Sequence, residues 1–222
     1  MIIDNTYFTG KIYIPYAKPG IMDSVNIDSA IIDFINEYVE DCLIKCLGPL
    51  LYEDLLLNLD ANESTWVDAS SDSKWDELVN GKTYINSNGD TVKWKGIRYK
   101  TGLEQDKHKS FLANYVYFYY EKKEFITRSN IGHEKEVAKN ADNVTPMHKV
   151  VTAWNEFVNL VQGDNDYRNV HLKESHGYGV DFYKGSSSIS LYQFIKDSNK
   201  INEGTYANFQ PKNWDRMNQF NL

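Results

Sequence analysis

The densest run of side chains capable of chemistry lies at residues 171–179, where the sequence reads HLKESHGYG. Imidazole nitrogens bind metal ions, and a glycine-rich loop with a lysine can hold phosphate. However, His171 and His176 are five residues apart, a spacing that suits no common helix or strand site. The run therefore supports only an alternative prediction, a metal- or nucleotide-dependent enzyme with its site in residues 171–178, and a polar loop explains it more simply.

Two further patterns have simple structural explanations. Cys42 and Cys46 lie four residues apart in a predicted helix, so both thiols point to one face. No second pair with zinc-ligand spacing occurs, which favours a buried, reduced pair over a metal half-site. Glu121 and Glu124 are separated by two lysines, a pattern typical of surface ion pairs.

The sequence contains no nucleophile elbow, phosphate-binding loop, dinucleotide glycine fingerprint or HExxH motif. We therefore predict no catalytic residue, no cofactor and no metal ion. The absence of such motifs favours a structural or interaction role over an enzyme.

Charge is distributed unevenly along the chain. The formal net charge is −7, which argues against nucleic-acid binding by the chain as a whole, although a local basic patch is compatible with it. Residues 23–63 carry ten acidic side chains and one basic side chain, Lys45. This segment is either a solvated helix face or a surface that repels DNA or attracts a basic partner.

The elements that would position these residues are mainly helices. A chain of 222 residues buries roughly 70% of its unfolded surface, and no stretch reaches the roughly 20 apolar residues that span a membrane. The first residues also lack the features of a secretory signal. Apolar spacing predicts helices from Asp28 to Gly48, from Pro49 onward, at 74–79, from about Asp106 to Thr127, at 146–162 and at 189–197.

Two β-prone runs flank an Asn-Gly turn and predict a hairpin at about residues 83–95. An isolated hairpin is only marginally stable in water, so this one must lie on the helices or on a neighbouring subunit. The side chains predicted to make such a subunit or neighbour contact are Tyr84, Ile85, Val92 and Trp94.

The predicted fold class is mainly α, a helical bundle with an inserted β-hairpin and an extended C-terminal tail. Residues 1–162 form the helical domain, and residues 163–222 form a loop, a short helix and the tail. The tail has no helical or alternating period but is rich in aromatics, which we expect to dock onto a partner because exposed aromatics impair solubility. These are Tyr206, Phe209, Trp214 and Phe220. The competing expectation is a tail that folds back onto its own bundle.

Three stretches, in this order and spacing, resemble the head-tail connector (adaptor) proteins of tailed double-stranded DNA phages, particularly the neck ring proteins of crAss-like phages. The resemblance spans about residues 28–160 and leaves out the long extension at 163–222. It is carried by residues 46–55 (CLGPLLYEDL), by WKGIR at 94–98 leading to ANYVYFYY at 113–120, and by residues 140–158, which include KVV at 149–151 and AWNEFV at 153–158.

The resemblance implies a non-enzymatic virion protein of the phage neck, made in the host cytoplasm and assembled as a ring of about twelve copies. Its implied partners are further copies of itself, the portal protein and other neck or tail ring proteins, with no membrane. Genomic DNA would pass through the ring without sequence-specific binding, and the acidic segment 23–63 would face the channel or its rim. A monomeric binding module is the other alternative.

Overall fold

The computed structural model describes residues 2–14, 24–58, 73–100, 108–130, 146–163 and 189–218. Within these ranges it is mainly helical with a small antiparallel hairpin, which confirms the predicted fold class. The helices are α1 (Ser24–Leu47), α2 (Pro49–Leu57), α3 (Ser73–Asn80), α4 (Phe111–Asn130), α5 (Pro146–Gln162) and α6 (Leu191–Ile201). The strands are β1 (Lys82–Ile85), β2 (Thr91–Trp94), β3 (Tyr99–Lys100) and β4 (His108–Lys109).

Helix α4 is the centre of the bundle, because it packs against both α1 and α5. Its first eight residues, from Phe111 to Phe118, are all buried, as expected for a helix contacted on most of its circumference. The predicted start near Asp106 is wrong. Residues 108–109 pair with β3 as β4, and the Ser110 hydroxyl accepts a hydrogen bond from the Leu112 N–H at the helix N-terminus.

Helices α1 and α5 bury their apolar faces against α4, and Pro49 is the first residue of α2, as predicted. In the hairpin, β1 and β2 pair antiparallel, with Tyr84 opposite Val92. One face of β2 is buried, through Val92 and Trp94, while Thr91 and Lys93 on the other face are exposed. The hairpin therefore lies on the bundle of its own chain.

The chain crosses itself closely where α3 ends and β2 returns. Gly81 and Gly96 both have positive φ, at +94° and +86°. A Cβ atom on Gly96 would lie 2.5 Å from the Val79 carbonyl oxygen, and one on Gly81 would lie 2.6 Å from the Trp94 carbonyl oxygen. Only glycine permits this approach of two backbones.

The crossing also supplies hydrogen-bond donors to the last carbonyls of α3, which have no partner within the helix. The Leu78 carbonyl accepts hydrogen bonds from the Ile97 N–H at 3.2 Å and the Trp94 indole Nε1 at 2.8 Å. The Val79 carbonyl accepts one from the Arg98 N–H at 2.9 Å. Helix α3 and the hairpin therefore form one hydrogen-bonded unit.

Replacing Gly96 with alanine should reduce the free energy of unfolding by about 2–4 kcal/mol, because the left-handed backbone and the contact with Val79 both penalise a Cβ. Gly89→Ala is the matched control, since Gly89 has φ +87° but nothing within 4 Å of its Cβ position. It should cost only about 1–2 kcal/mol. Urea unfolding of both variants measures the difference, and equal losses would show that the crossing is not tightly packed.

Candidate interaction sites

The C-terminal segment, residues 203–218, packs against the helices of its own chain. Tyr206 is 1% exposed and Trp214 is 6% exposed, so neither offers an aromatic surface to a partner. The prediction that they dock onto a partner is therefore wrong, and the competing prediction describes this segment. Phe209 is half-buried against the Tyr192 ring, and a docking role for it stays a prediction. Phe220 lies outside the described residues.

Side-chain amides hold the backbone of this segment in place. Three of them each donate to the carbonyl and accept from the N–H of a single segment residue, an arrangement that substitutes for a neighbouring β-strand. An irregular segment thereby satisfies its backbone groups without a sheet. The pairs are Asn199 with Tyr206, Gln162 with Trp214, and Asn155 with Met217.

Trp214 completes an aromatic cluster between α4 and α5. Its ring centroid lies 5.8 Å from that of Tyr115, 5.6 Å from Trp154 and 5.0 Å from Phe157, in edge-to-face contacts with interplanar angles of 75–84°. Such contacts add to the free energy gained by burying the rings. This segment, residues 203–218, is called the strap below and is part of the core. Sequence periodicity did not reveal this because the strap has no helical or alternating period.

The same segment caps the C-terminus of α1. The Gln210 N–H donates to the Leu47 carbonyl at 3.0 Å, and the Lys212 N–H donates to the Lys45 carbonyl at 2.8 Å. Both carbonyls belong to the last turn of α1, where no intrahelical donor remains. The strap therefore connects α1 with α5.

Most of the hairpin residues predicted to contact a neighbour instead make contacts within their own chain. Val92 and Trp94 are buried, and the Trp94 ring stacks on Phe194 of α6 at 5.6 Å. The Tyr84 hydroxyl donates to an Asp197 carboxylate oxygen at 2.9 Å. A neighbour contact through Val92 and Trp94 is therefore wrong, because α6 covers that face. Ile85 is 64% exposed, and a neighbour contact through it stays a prediction.

The two cysteines are free and buried, with their Sγ atoms 3.9 Å apart. Burial raises the pKa of the Cys42 thiol well above its ordinary value, which makes it unreactive. Among the described residues, no group of three or more His, Cys, Asp or Glu side chains could hold a metal ion. The alternative enzyme site at residues 171–178 lies outside the described ranges.

A buried tyrosine links the acidic helix α1 to α4. The Tyr115 hydroxyl donates to Asp41 Oδ2 at 2.6 Å, and Lys45 Nζ donates to the same oxygen at 2.6 Å. Burial raises the pKa of Tyr115 most, and the hydrogen bond to Asp41 raises this pKa further. Burial likewise raises the pKa of Tyr117 and Tyr192.

These tyrosines predict a loss of stability in alkali. Above pH 10 the unfolded tyrosines release their protons, while Tyr115, Tyr117 and Tyr192 keep theirs in the folded state. Each then costs up to about 1.4 kcal/mol per pH unit, and because this slope develops gradually around pH 10, the three together lower the free energy of unfolding by about 4 kcal/mol between pH 9 and pH 11. Urea unfolding between pH 9 and 11 measures this slope, and Tyr115→Phe should reduce it by about a third. A stability that is constant above pH 10 would contradict the prediction.

The acidic segment is exposed at four of the acidic positions that the structure describes, as either of its interpretations requires. Asp33, Glu37 and Glu40 of α1 and Glu53 of α2 are exposed. Its one basic residue, Lys45, pairs with Asp41. Whether this face lies toward a DNA channel stays a prediction. None of the described helices combines the length and apolar character needed to cross a bilayer.

A basic cleft of about 370 Å³ lies at the base of the hairpin and was not predicted from the sequence. Its basic side chains come from both strands and the residues that follow β2, and Asn80 and Thr83 complete the wall. The sequence signal was present, because residues 82–98 contain four basic residues and only one acidic residue, Asp90. The four are Lys82, Lys93, Lys95 and Arg98.

Comparisons with known proteins identify no relative: no family model, no curated protein and no solved structure matches this chain. Its function must therefore be inferred from its residues and their placement.

Proposed function

We propose that this chain is a structural subunit of the neck of a tailed double-stranded DNA phage. About twelve copies would form a ring beneath the portal, join it to the tail and surround the DNA exit channel. The proposal rests on the sequence resemblance and on one structural observation about the stretches that carry it.

That observation is the convergence of the three stretches in a common hydrophobic core. The first contributes the junction of α1 and α2, the second the hairpin exit and α4, and the third α5. Segments far apart in sequence thus build one bundle, and the hairpin packs on it. The buried members include Leu47, Leu51, Leu55, Ile97, Tyr115, Val116, Trp154 and Phe157.

The exposed apolar side chains support assembly into an oligomer. Leu50, Leu56 and Leu57 of α2 are 50%, 43% and 83% exposed, and Ile85 of the hairpin is 64% exposed. Clustered exposed leucines are unusual on a monomer and are typical of surfaces that contact another subunit. Helix α2 and the hairpin are therefore our candidates for contacts between ring subunits.

Electron microscopy of the purified chain mixed with the portal of the same phage tests the proposal. We expect an added ring of about twelve subunits on the portal. Leu57→Asp should abolish this ring, whereas Ile201→Asp, at a 48% exposed position on α6, should not. A portal that gains no density at micromolar concentrations of the intact chain would contradict the proposal.

A further inference from the structure

Strand β1 has an unpaired outer edge. Among the described residues it belongs to a two-stranded sheet, in which its one partner is β2. In an antiparallel pair, successive residues point their backbone N–H and C=O groups alternately toward the partner strand and away from it. The Asn86 N–H donates to the Asp90 carbonyl at 3.0 Å across the pair, so Tyr84, two residues earlier, faces β2 as well. Thr83 and Ile85 therefore point their backbone groups outward.

The other edge of the sheet shows the same alternation. The carbonyl of Lys93, which lies opposite Thr83, accepts a hydrogen bond at 3.1 Å from the Ile189 N–H, outside the hairpin. The backbone groups of this pair of residues therefore face away from each other, as the alternation requires. No such bond reaches Thr83 or Ile85 within the described residues. In that part of the chain, two N–H and two C=O groups of β1 thus have no protein partner.

The side chains leave this edge accessible. Thr83 is exposed, and Ile85 is 64% exposed. Edge strands are commonly protected from pairing by lysine, proline or a bulge. The one lysine of β1, Lys82, is its first residue and pairs with Glu77. The rest of β1 is β-branched or aromatic, which favours strand pairing, so the edge is open to an additional strand.

We propose that this edge pairs with the same edge of a second copy of the chain, antiparallel, around a two-fold axis at Tyr84. Because the free groups belong to residues two apart, the pairing places Thr83 of each copy opposite Ile85 of the other. Both are then hydrogen-bonded pairs, and all four free groups of each copy gain a partner. The result is a four-stranded sheet in the order β2, β1, β1, β2.

Charge complementarity favours a second copy as the occupant. In the paired sheet, Lys82 of one copy lies in the same row as Asp90 of the other, two strand spacings or about 10 Å away. Asp90 is the only acidic residue in 82–98, so opposite charges approach at both ends of the paired strands. The exposed Lys93 lies three strand spacings, at least about 14 Å, from its counterpart. At physiological salt the repulsion between these lysines is largely screened.

This contact goes beyond the proposed function and does not depend on it. A two-fold contact closes after two copies, so it describes the free chain rather than neighbours in a cyclic ring. Mass distinguishes the two assemblies, because the dimer contains two copies and the ring about twelve.

Sedimentation equilibrium of the intact chain between about 5 and 500 µM tests the proposal, and because one strand pair is a small interface we expect a reversible monomer–dimer equilibrium. Ile85→Pro removes an outward N–H but no hydrogen bond between β1 and β2, and should weaken the dimer at least about tenfold. Thr91→Pro is the matched control. Thr91 lies opposite Ile85 and points its N–H to the outer edge of β2, so this variant should dimerise as the intact chain does.

Two further measurements do not depend on how the proline variants fold. Ile85→Lys retains every backbone group but places a charge at the edge, so it should weaken the dimer at least about tenfold, whereas Thr91→Lys should not. In the intact chain, the amides of Thr83 and Ile85 should exchange hydrogen at least about fivefold more slowly at the highest concentration than at the lowest. The Thr91 amide should exchange at the same rate at both.

A chain that stays monomeric at the highest concentration would overturn the proposal. A dimer that Ile85→Pro and Thr91→Pro weaken equally would also overturn it, because the contact would then not be specific to the edge of β1. A dimer that Leu57→Asp dissociates and Ile85→Pro does not would overturn it as well, because the contact would then lie on α2.

Discussion

Deleting residues 203–222 should lower the melting temperature by about 12–24 °C. The deletion removes Tyr206 and Trp214 from the core, and each such loss costs at least about 3 kcal/mol. For a chain of this size, 1 kcal/mol corresponds to about 2–4 °C. The deletion also exposes the carbonyls at the end of α1 and leaves the amides of Asn155 and Gln162 without their backbone partners.

Differential scanning calorimetry of the truncated and intact chains measures the loss. The control is a deletion of residues 219–222 alone, which retains every strap contact given above and should melt within a few degrees of the intact chain. Equal melting temperatures for the intact chain and the chain without residues 203–222 would show that the strap is not part of the folded core.

Trp154→Ala should reduce the free energy of unfolding by about 3–5 kcal/mol. Trp154 lies in the middle of α5, and its ring centroid is 4.6 Å from that of Phe118 and 5.6 Å from that of Trp214. Its indole Nε1 also donates to the Asp215 carbonyl at 2.8 Å. One side chain thus joins α4, α5 and the strap, so its removal leaves a large cavity.

Trp154→Phe separates the two contributions of this side chain. It retains a ring in the cluster but loses the hydrogen bond, and should cost about 1–2 kcal/mol. Urea unfolding measures both variants. A loss below about 1 kcal/mol for Trp154→Ala would remove α5 from the core and contradict the bundle described above.

The helices were predictable because each has a local signal. Pro49 and Pro146 are the first residues of α2 and α5, and the apolar spacing on α1 and α5 matches the faces that pack on α4. The hairpin was predictable from its Asn-Gly turn. Its packing was not, because the aromatic side chain that covers Trp94 belongs to Phe194, one hundred residues later.

The prediction for the strap was wrong because the residues that it contacts are dispersed along the chain. A segment that is rich in aromatic residues but has no period is compatible with docking onto a partner and with packing on its own chain. Only the positions of the residues that it contacts distinguish the two. A signal did exist on α5, where Asn155, Asn159 and Gln162 recur at helical spacing beside the apolar face. All three contact the strap, Asn159 through Arg216.

The basic cleft could not be predicted from the sequence, for a different reason. Lys82, Lys93 and Arg98 are spread over seventeen residues, and they converge only because the backbone crosses at Gly81 and Gly96. Sequence patterns reveal neighbours along one element, whereas this crossing joins the end of a helix to the end of a hairpin.

We propose that this chain is a structural part of a phage particle. Quantitative mass spectrometry of purified particles of a phage whose genome carries this sequence tests that proposal most directly. We predict about twelve copies per particle, in a fixed ratio to the portal subunit. A chain that is abundant in infected cells but absent from purified particles would contradict the claim.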